Sequence, residues 1–524
     1  MAERQPSTDQ IFAHGALRVA LVAAGVILAL STLYVAPQLG TSRAANAANS
    51  GGAAQAGTSD QGANPGADTS GGNNTGNTVS GPGNNRNGNG GAPSPSGNPN
   101  DAPPPGLTCS GNNGSATDTG VDKHTIHLAA TEVESGVGQS FLGPVRFGMR
   151  AVLEKTNRAG GICGRTLDLT LRDDGWDPQT GKQYIDNFID GHQYFALAVV
   201  PSSEGLNAAS QGGDVDKASI PVVGSDGMLN SQYTDPWIWP VAASTATTMR
   251  IMAHDAITRG KGLGRPVRLG IIYDQNYRFG PEGAGAFVAE ARREGATVDT
   301  SNCAVAVTAG QSGYGTQVKS FNDNCGDGAS GQVDFVALLL EPETAETWLS
   351  NGPYLGHTKD GSGLGFGGPQ PLFDKNFADT CGATCTGMEV WTSFFPPVDP
   401  FDQGKVQAFQ ADLCAVDSSC TVDARSAFTE SGYVGMGLLV TALQQTSPYL
   451  TRTRLAATLD SMTGATAYNS GLTPAPLAFR SGYHYSNQTM VAFQDSYSST
   501  SSFQYIRGSQ QADPCKGCQD KPLS

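Results

Sequence analysis

Phe147-Gly-Met-Arg-Ala-Val-Leu-Glu-Lys-Thr-Asn-Arg-Ala-Gly-Gly-Ile-Cys-Gly-Arg165 runs almost directly into Leu167-Asp-Leu-Thr-Leu-Arg-Asp-Asp-Gly-Trp-Asp-Pro178. Val145, Met149 and Val152 fall on one stripe of a helix that begins at Pro144, just before the first segment, and Gly160-Gly161 stops it. The second reads as a strand over 167–172, followed by a helix over 179–189. Working outward, Thr125-Ile-His-Leu-Ala-Ala130 is a strand before the helix. Ala196-Leu-Ala-Val-Val200 is a continuous apolar run, the mark of a strand buried on both faces. Ile220-Pro-Val-Val223 is the next strand.

The pattern then restarts. A helix is expected over 248–259, a buried strand over 267–273, a helix over 283–294, a strand over 333–340 and a helix start over 342–349. Strands that alternate with helices imply parallel sheets covered on both faces, an α/β architecture. So long a run of this texture exceeds one comfortable core, which calls for two lobes. Gly363-Leu-Gly-Phe-Gly-Gly368 spells a dinucleotide-type glycine pattern, but it follows a polar loop and precedes Pro369 and Pro371, so it reads as loop.

Composition narrows the function. The 524 residues include 47 acidic and 32 basic side chains, a formal charge of -15, which argues against a phosphate-backbone partner and excludes nucleic acid. Only 15% of residues are charged and 68 are Gly, so part of the chain is not expected to fold. That part is 41–106, where Val79 is the one aliphatic residue larger than Ala and no aromatic occurs. Such a segment cannot bury enough apolar surface to offset its conformational entropy and reads as a disordered tether.

The cysteines, Cys109, Cys163, Cys303, Cys325, Cys381, Cys385, Cys414, Cys420, Cys515 and Cys518, are even in number and come in close pairs without accompanying histidines. This suggests disulfides and an oxidising compartment. Pairing in sequence order is the simplest scheme, although the sequence does not fix it. Zinc is the competing reading for Cys381/Cys385 and Cys515/Cys518. Val19–Ala36 carries no charge and would make about 27 Å of helix, with Arg4 and Arg18 before it. The expectation is a single-pass anchor in the cell membrane, with a short cytoplasmic tail over 1–18 and the remainder outside. A cleaved signal peptide is the rival reading.

The stretch 147–165 with Ser135-Gly136 before it resembles the first strand–loop–helix of type I periplasmic binding proteins, the leucine (branched-chain amino acid) group in particular. Leu167–Pro178, Val199-Val-Pro-Ser-Ser-Glu-Gly205, Ile220–Ser225 and Ile271-Ile-Tyr-Asp274 with Tyr277-Arg-Phe-Gly280 are similar to further pieces of that family. The likeness spans about 122–507 and is thin after 295. It implies two lobes joined by three crossovers near Val241, Trp391 and Leu472. Lobe one would be about 122–242 with 394–470, lobe two about 243–393 with 471–511, and 512–524 a Cys-containing tail. It also implies a solute-binding protein that closes on a small polar ligand, amino acid or amide-like, and serves an ABC permease. A sensing ectodomain of the same fold, acting through a signalling partner, is the alternative.

Ligands of α/β sheets sit beyond the carboxyl ends of strands, where helix N-termini offer N–H groups. Ser202 and Ser203 stand at such a junction, placed either to hold a carboxylate or to cap the helix. Ser135 follows the first strand. Ser225 and Asp226 follow the fourth, with Asp226 suited to a ligand ammonium or to an exposed turn. Tyr277 and Phe279 are the aromatic candidates from lobe two, Phe279 matching the family's stacking position because it precedes Gly280. Glu341 ends its strand facing the same side, with Asp374 a weaker candidate. Gly224-Ser225-Asp226-Gly227-Met228 replaces the family's usual small-residue and Thr sequence, which argues against ordinary branched-chain amino acid recognition. No Gly-x-Ser-x-Gly, His-Glu-x-x-His or Walker loop occurs, and no enzyme, cofactor or metal is expected.

Overall fold

The structure, a computed structural model, describes residues 103–325, 333–356, 363–397, 401, 403–486, 488–506, 508, 510–515, 518 and 523. Its first half builds one sheet: β1 (Thr125–Glu132), β2 (Thr166–Asp173), β3 (Ala196–Ala198), β4 (Val222–Val223) and β5 (Ile238–Trp239), in the order β2-β1-β3-β4-β5. Every pairing in it is parallel. The connecting helices are α1 (Val145–Arg158), α2 (Pro178–Asp190) and α3 (Ser203–Gln211). The apolar run at 196–200 is buried throughout, as two covered faces require, whereas edge strand β2 is only partly covered, with Leu167 its one buried residue.

After α4 (Thr245–Arg259) a second sheet begins with β6 (Leu269–Asp274), followed by α5 (Phe279–Arg293), β7 (Ala304–Val307), α6 (Gly315–Asn324), β8 (Phe335–Leu339) and α7 (Pro342–Ser350). β9 (Gly365–Pro369) and β10 (Glu389–Thr392) extend it in parallel. The chain then supplies α8 (Lys405–Cys414), α9 (Ala427–Thr446) and α10 (Arg452–Asp460), of which α9 packs on α1 and on the first sheet. It returns to the second sheet as antiparallel β11 (Thr489–Tyr497) and β12 (Ser501–Tyr505), with β13 (Gln511–Ala512) beside β11. The connecting segments touch one another: Ala243 N–H donates to Ser393 Oγ at 3.0 Å, and Phe395 N–H to the Leu472 carbonyl at 2.8 Å.

β9 corrects the sequence reading, which made 363–368 a loop. It is a fully buried strand between β8 and β10. Its glycines serve close packing: a Cβ on Gly367 would lie 2.4 Å from the Glu389 carbonyl oxygen, and one on Gly368 2.3 Å from a Leu372 methyl. The flanking prolines sit at the strand's end, where the missing N–H costs no ladder bond.

All ten cysteines are in disulfides, 109–163, 303–325, 381–385, 414–420 and 515–518, so no thiolate is left among them for zinc. The first bridge ties the segment before β1 to the α1–β2 turn. Fully buried Arg165 reinforces that join by donating to the carbonyls of Asp122 (2.7 Å) and Asn113 (2.6 Å).

The membrane placement is not upheld. Among the described residues no helix is long and apolar enough to cross a membrane. The expected span over 19–36 and tail over 1–18 lie outside the described residues, as does the tether over 41–106 apart from 103–106.

Candidate functional site

The carboxyl ends of the two sets of parallel strands meet along one seam. Trp176, just after β2, stacks on Tyr277, just after β6, with ring centroids 4.2 Å apart and planes 17° from parallel. Phe279 N–H at the start of α5 donates to Glu204 in the first turn of α3 (3.3 Å). Asn230 N–H donates to Glu282 in α5 (2.8 Å).

Trp176 is fully buried and holds a backbone φ of +61°, a region that bulky residues rarely occupy. Several contacts impose that turn. Trp176 N–H donates to Asp174 Oδ1 at 2.9 Å, and the preceding Gly175 carbonyl sits where a Cβ on Gly136 would lie, 2.4 Å away. Phe141 and, beyond it, Phe428 of α9 meet edge to face and back the indole. The result is a flat ring delivered from the first sheet to the second, with the indole Nε1 lacking a hydrogen-bond partner.

On the hinge side of Phe279 lies a narrow cavity of about 40 Å³, lined by both halves and their connections. Met228, Ala242, Leu339, Pro371, Phe428 and Met490 make it largely apolar, and among the described residues Asp226 is its one charged group. Asp226 is buried, accepts from Ser431 Oγ at 3.1 Å, and is pushed up to about 6 by burial.

The other expected residues separate into two groups. Ser225 is buried with an unpartnered Oγ beside Asp226. Glu341 caps α7, accepting from Thr344 N–H at 3.2 Å, and leaves its second oxygen without a partner; burial pushes it up to about 7. Tyr277 and Phe279 form the aromatic layer. Ser202 occupies the N-cap position of α3 but makes no cap bond; its Oγ faces Asp174 without a hydrogen bond of good geometry. Ser203 donates to Met228 Sδ at 3.0 Å and so supports the cavity wall. Ser135 stands apart: it is exposed, on the loop after β1, and bonded to Asp173. Asp374 caps the helix Lys375–Cys381 by accepting from Phe377 N–H.

Sequence reasoning missed Trp176, Glu204, Asp274 and Glu430. Asp274 ends β6 fully buried, with Oδ2 unpartnered, and burial pushes it up to about 6. Glu204 is pushed up to about 7 by burial, offset by the Phe279 and Arg278 amides. Glu430 in α9 is fully buried with both oxygens unpartnered, and desolvation alone holds it well above the carboxylate range. Asp274, placed at a strand end, was accessible from position alone; the others depend on tertiary contacts.

The family description "periplasmic binding protein" matches residues 125–496. The chain belongs to the periplasmic binding protein family. Its two-sheet architecture is the type I fold of that family. Among solved structures it is similar to a fatty acid ABC transporter substrate-binding protein from Thermomonospora curvata (17% identity, 78% of this chain and 97% of that one, TM-score 0.60). A possible leucine/isoleucine/valine-binding protein from Rhodopirellula baltica is similar at 16% identity (75% and 98%, TM-score 0.60). An R. palustris ABC transporter solute-binding protein in complex with benzoate follows at 14% (75% and 99%, TM-score 0.58). These identities establish fold alone. No curated protein matches the chain by sequence.

Proposed function

We propose that this chain is an extracytoplasmic solute-binding protein that closes its seam on one small polar ligand, amino acid or amide-like, for delivery to an ABC-type importer. The observation that carries this is the set of buried oxygens without partners, Ser225 Oγ, Asp274 Oδ2 and Glu341 Oε2, contributed by strand ends of both sheets. Leaving such groups unpaired costs about 1–3 kcal/mol each, which a ligand's N–H donors would recover. Five disulfides support a place outside the reducing cytoplasm.

The test is a thermal-shift screen of the purified chain against a panel of amino acids, amides, amines and organic acids. One chemical class should raise the melting temperature by several degrees at saturating concentration. No shift with any solute, alongside turnover of one, would contradict the proposal.

A further inference from the structure

The outer half of the seam combines two features that family membership does not supply. The first is a pair of near-parallel ring faces, Trp176 from one sheet and Tyr277 from the other, closed on each other at 4.2 Å. An inserted ring would need the faces about 7 Å apart, so parting the seam by about 3 Å is enough. Phe279 continues the same orientation at 5.9 Å from Trp176 and 6.2 Å from Tyr277, which extends the layer toward the apolar cavity.

The second feature is the charge around that slot. Asp274 and Glu341 end adjacent strands, β6 and β8, whose ladder pairs Tyr273 with Leu339. Both are buried, and each keeps one oxygen without a partner. The charges acting on Glu341 are those of Asp274 and Glu343, both negative; Arg278 acts on Glu204. The Tyr277 phenol is pushed up to about 12, by burial first and then by Asp274, Glu341 and Glu204, which places the ring and the carboxyls in one neighbourhood.

Resting on the solute-binding reading, we infer that the ligand is a planar cation, an aryl amidinium or guanidinium in type. Its ring enters between Trp176 and Tyr277, and its N–H donors meet Asp274 and Glu341. A ring between two aromatic faces gains dispersion, and positive charge on it gains the attraction of the ring quadrupoles as well. An amidinium presents two parallel N–H donors, the geometry a carboxylate accepts best. A ligand carboxylate would instead face unneutralised Asp274 and Glu341. A metal ion fits less well. Among the described residues the one trio of ligating side chains close enough to share an ion is His254, Glu290 and Glu294, on α4 and at the end of α5, and Arg293 already pairs with both glutamates.

The experiment is calorimetric titration of the full chain at pH 8 with benzamidine and phenylguanidine, against benzoate (planar, anionic), cyclohexylammonium (cationic, not planar) and leucine. The aryl cations should bind at least about tenfold tighter than each control. Tyr277→Leu, at a half-buried position, should weaken benzamidine about tenfold, Tyr277→Phe should restore most of it, and Asp274→Asn should weaken it by about tenfold or more. Trp176→Leu should match Tyr277→Leu; should it fail to fold, the Tyr277 pair decides. Benzoate or cyclohexylammonium binding as tightly as benzamidine would overturn the inference, as would equal affinities for the Tyr277 Leu and Phe variants. If leucine or another solute binds while neither aryl cation does, the inference falls and the solute-binding reading stands. If none of the five binds, the inference falls, and the thermal-shift panel decides the solute-binding reading separately.

Discussion

The two ends of the seam are built from different materials. Toward the connections, Met228, Leu339, Pro371 and Met490 enclose space around a single carboxyl, Asp226. Farther out, Trp176 and Tyr277 stand among Asp274, Glu341 and Glu204. An apolar cavity rewards almost any apolar group of the right size, because burial of area is non-directional. Unpartnered carboxyls between ring faces reward few ligands and penalise the rest, since a mismatched partner leaves a buried charge unpaired. On the proposed reading the difference teaches where selectivity would reside: the inner end would add apolar contact and the outer end would choose.

Phe279 belongs to both ends, so removing it should have the largest effect. It is buried, lines the cavity and continues the aromatic layer. Phe279→Ala should lower unfolding free energy by about 3–4 kcal/mol in denaturant titrations. It should also weaken solute binding. A loss under about 1 kcal/mol would mean the two ends are not joined through this ring.

The next effect is the pH dependence of the unliganded chain. Burial raises Glu204 and Glu341 to about 7 and Asp226 and Asp274 to about 6, against about 4 in an unfolded chain. The folded state therefore holds extra protons between pH 4 and 7, and that stabilisation is lost as pH rises through 6 to 7. Carboxyls held low, such as Asp334, where burial is outweighed by Arg265 and Arg268 together, titrate below this window. The melting temperature should be higher at pH 5 than at pH 8 by at least about 3 °C. A cationic ligand should reverse the trend by binding the ionised carboxyls. A flat or rising profile without ligand would show that these groups are already neutralised.

The smallest effect separates two residues that look alike in sequence. Asp177 caps α2, accepting from Thr180 N–H at 2.7 Å, whereas Ser202 holds the same position on α3 and makes no such bond. Asp177→Ala should cost about 1 kcal/mol and Ser202→Ala less than about 0.5 kcal/mol. Equal costs would return Ser202 to a purely structural role.

Much of the fold was legible because parallel strands bury both faces and advertise themselves as apolar runs, as at 196–200 and 335–339. β9 was hidden for the opposite reason: its role is to let neighbouring chains approach, and Gly367 and Gly368 do so by having no side chain to read. Of the candidate site residues, Ser225, Asp226 and Glu341 were singled out from their place at strand ends, and the structure buries all three. Ser135 occupies such a place too, yet its loop turns it out to solvent. Trp176 was within a quoted motif but not singled out, because only a left-handed turn and the packing of Phe141 aim it across the seam. Glu430 gave no signal, as an acidic residue early in a helix ordinarily faces water.

Hydrogen–deuterium exchange of the full chain, with and without a saturating solute from the stabilising class, tests closure most directly. Amides over 175–180 on one side and 277–283 on the other should slow together, while those of β3 and β8 stay unchanged. Slowing on one side only, or no change on either, would contradict a seam that closes on its ligand.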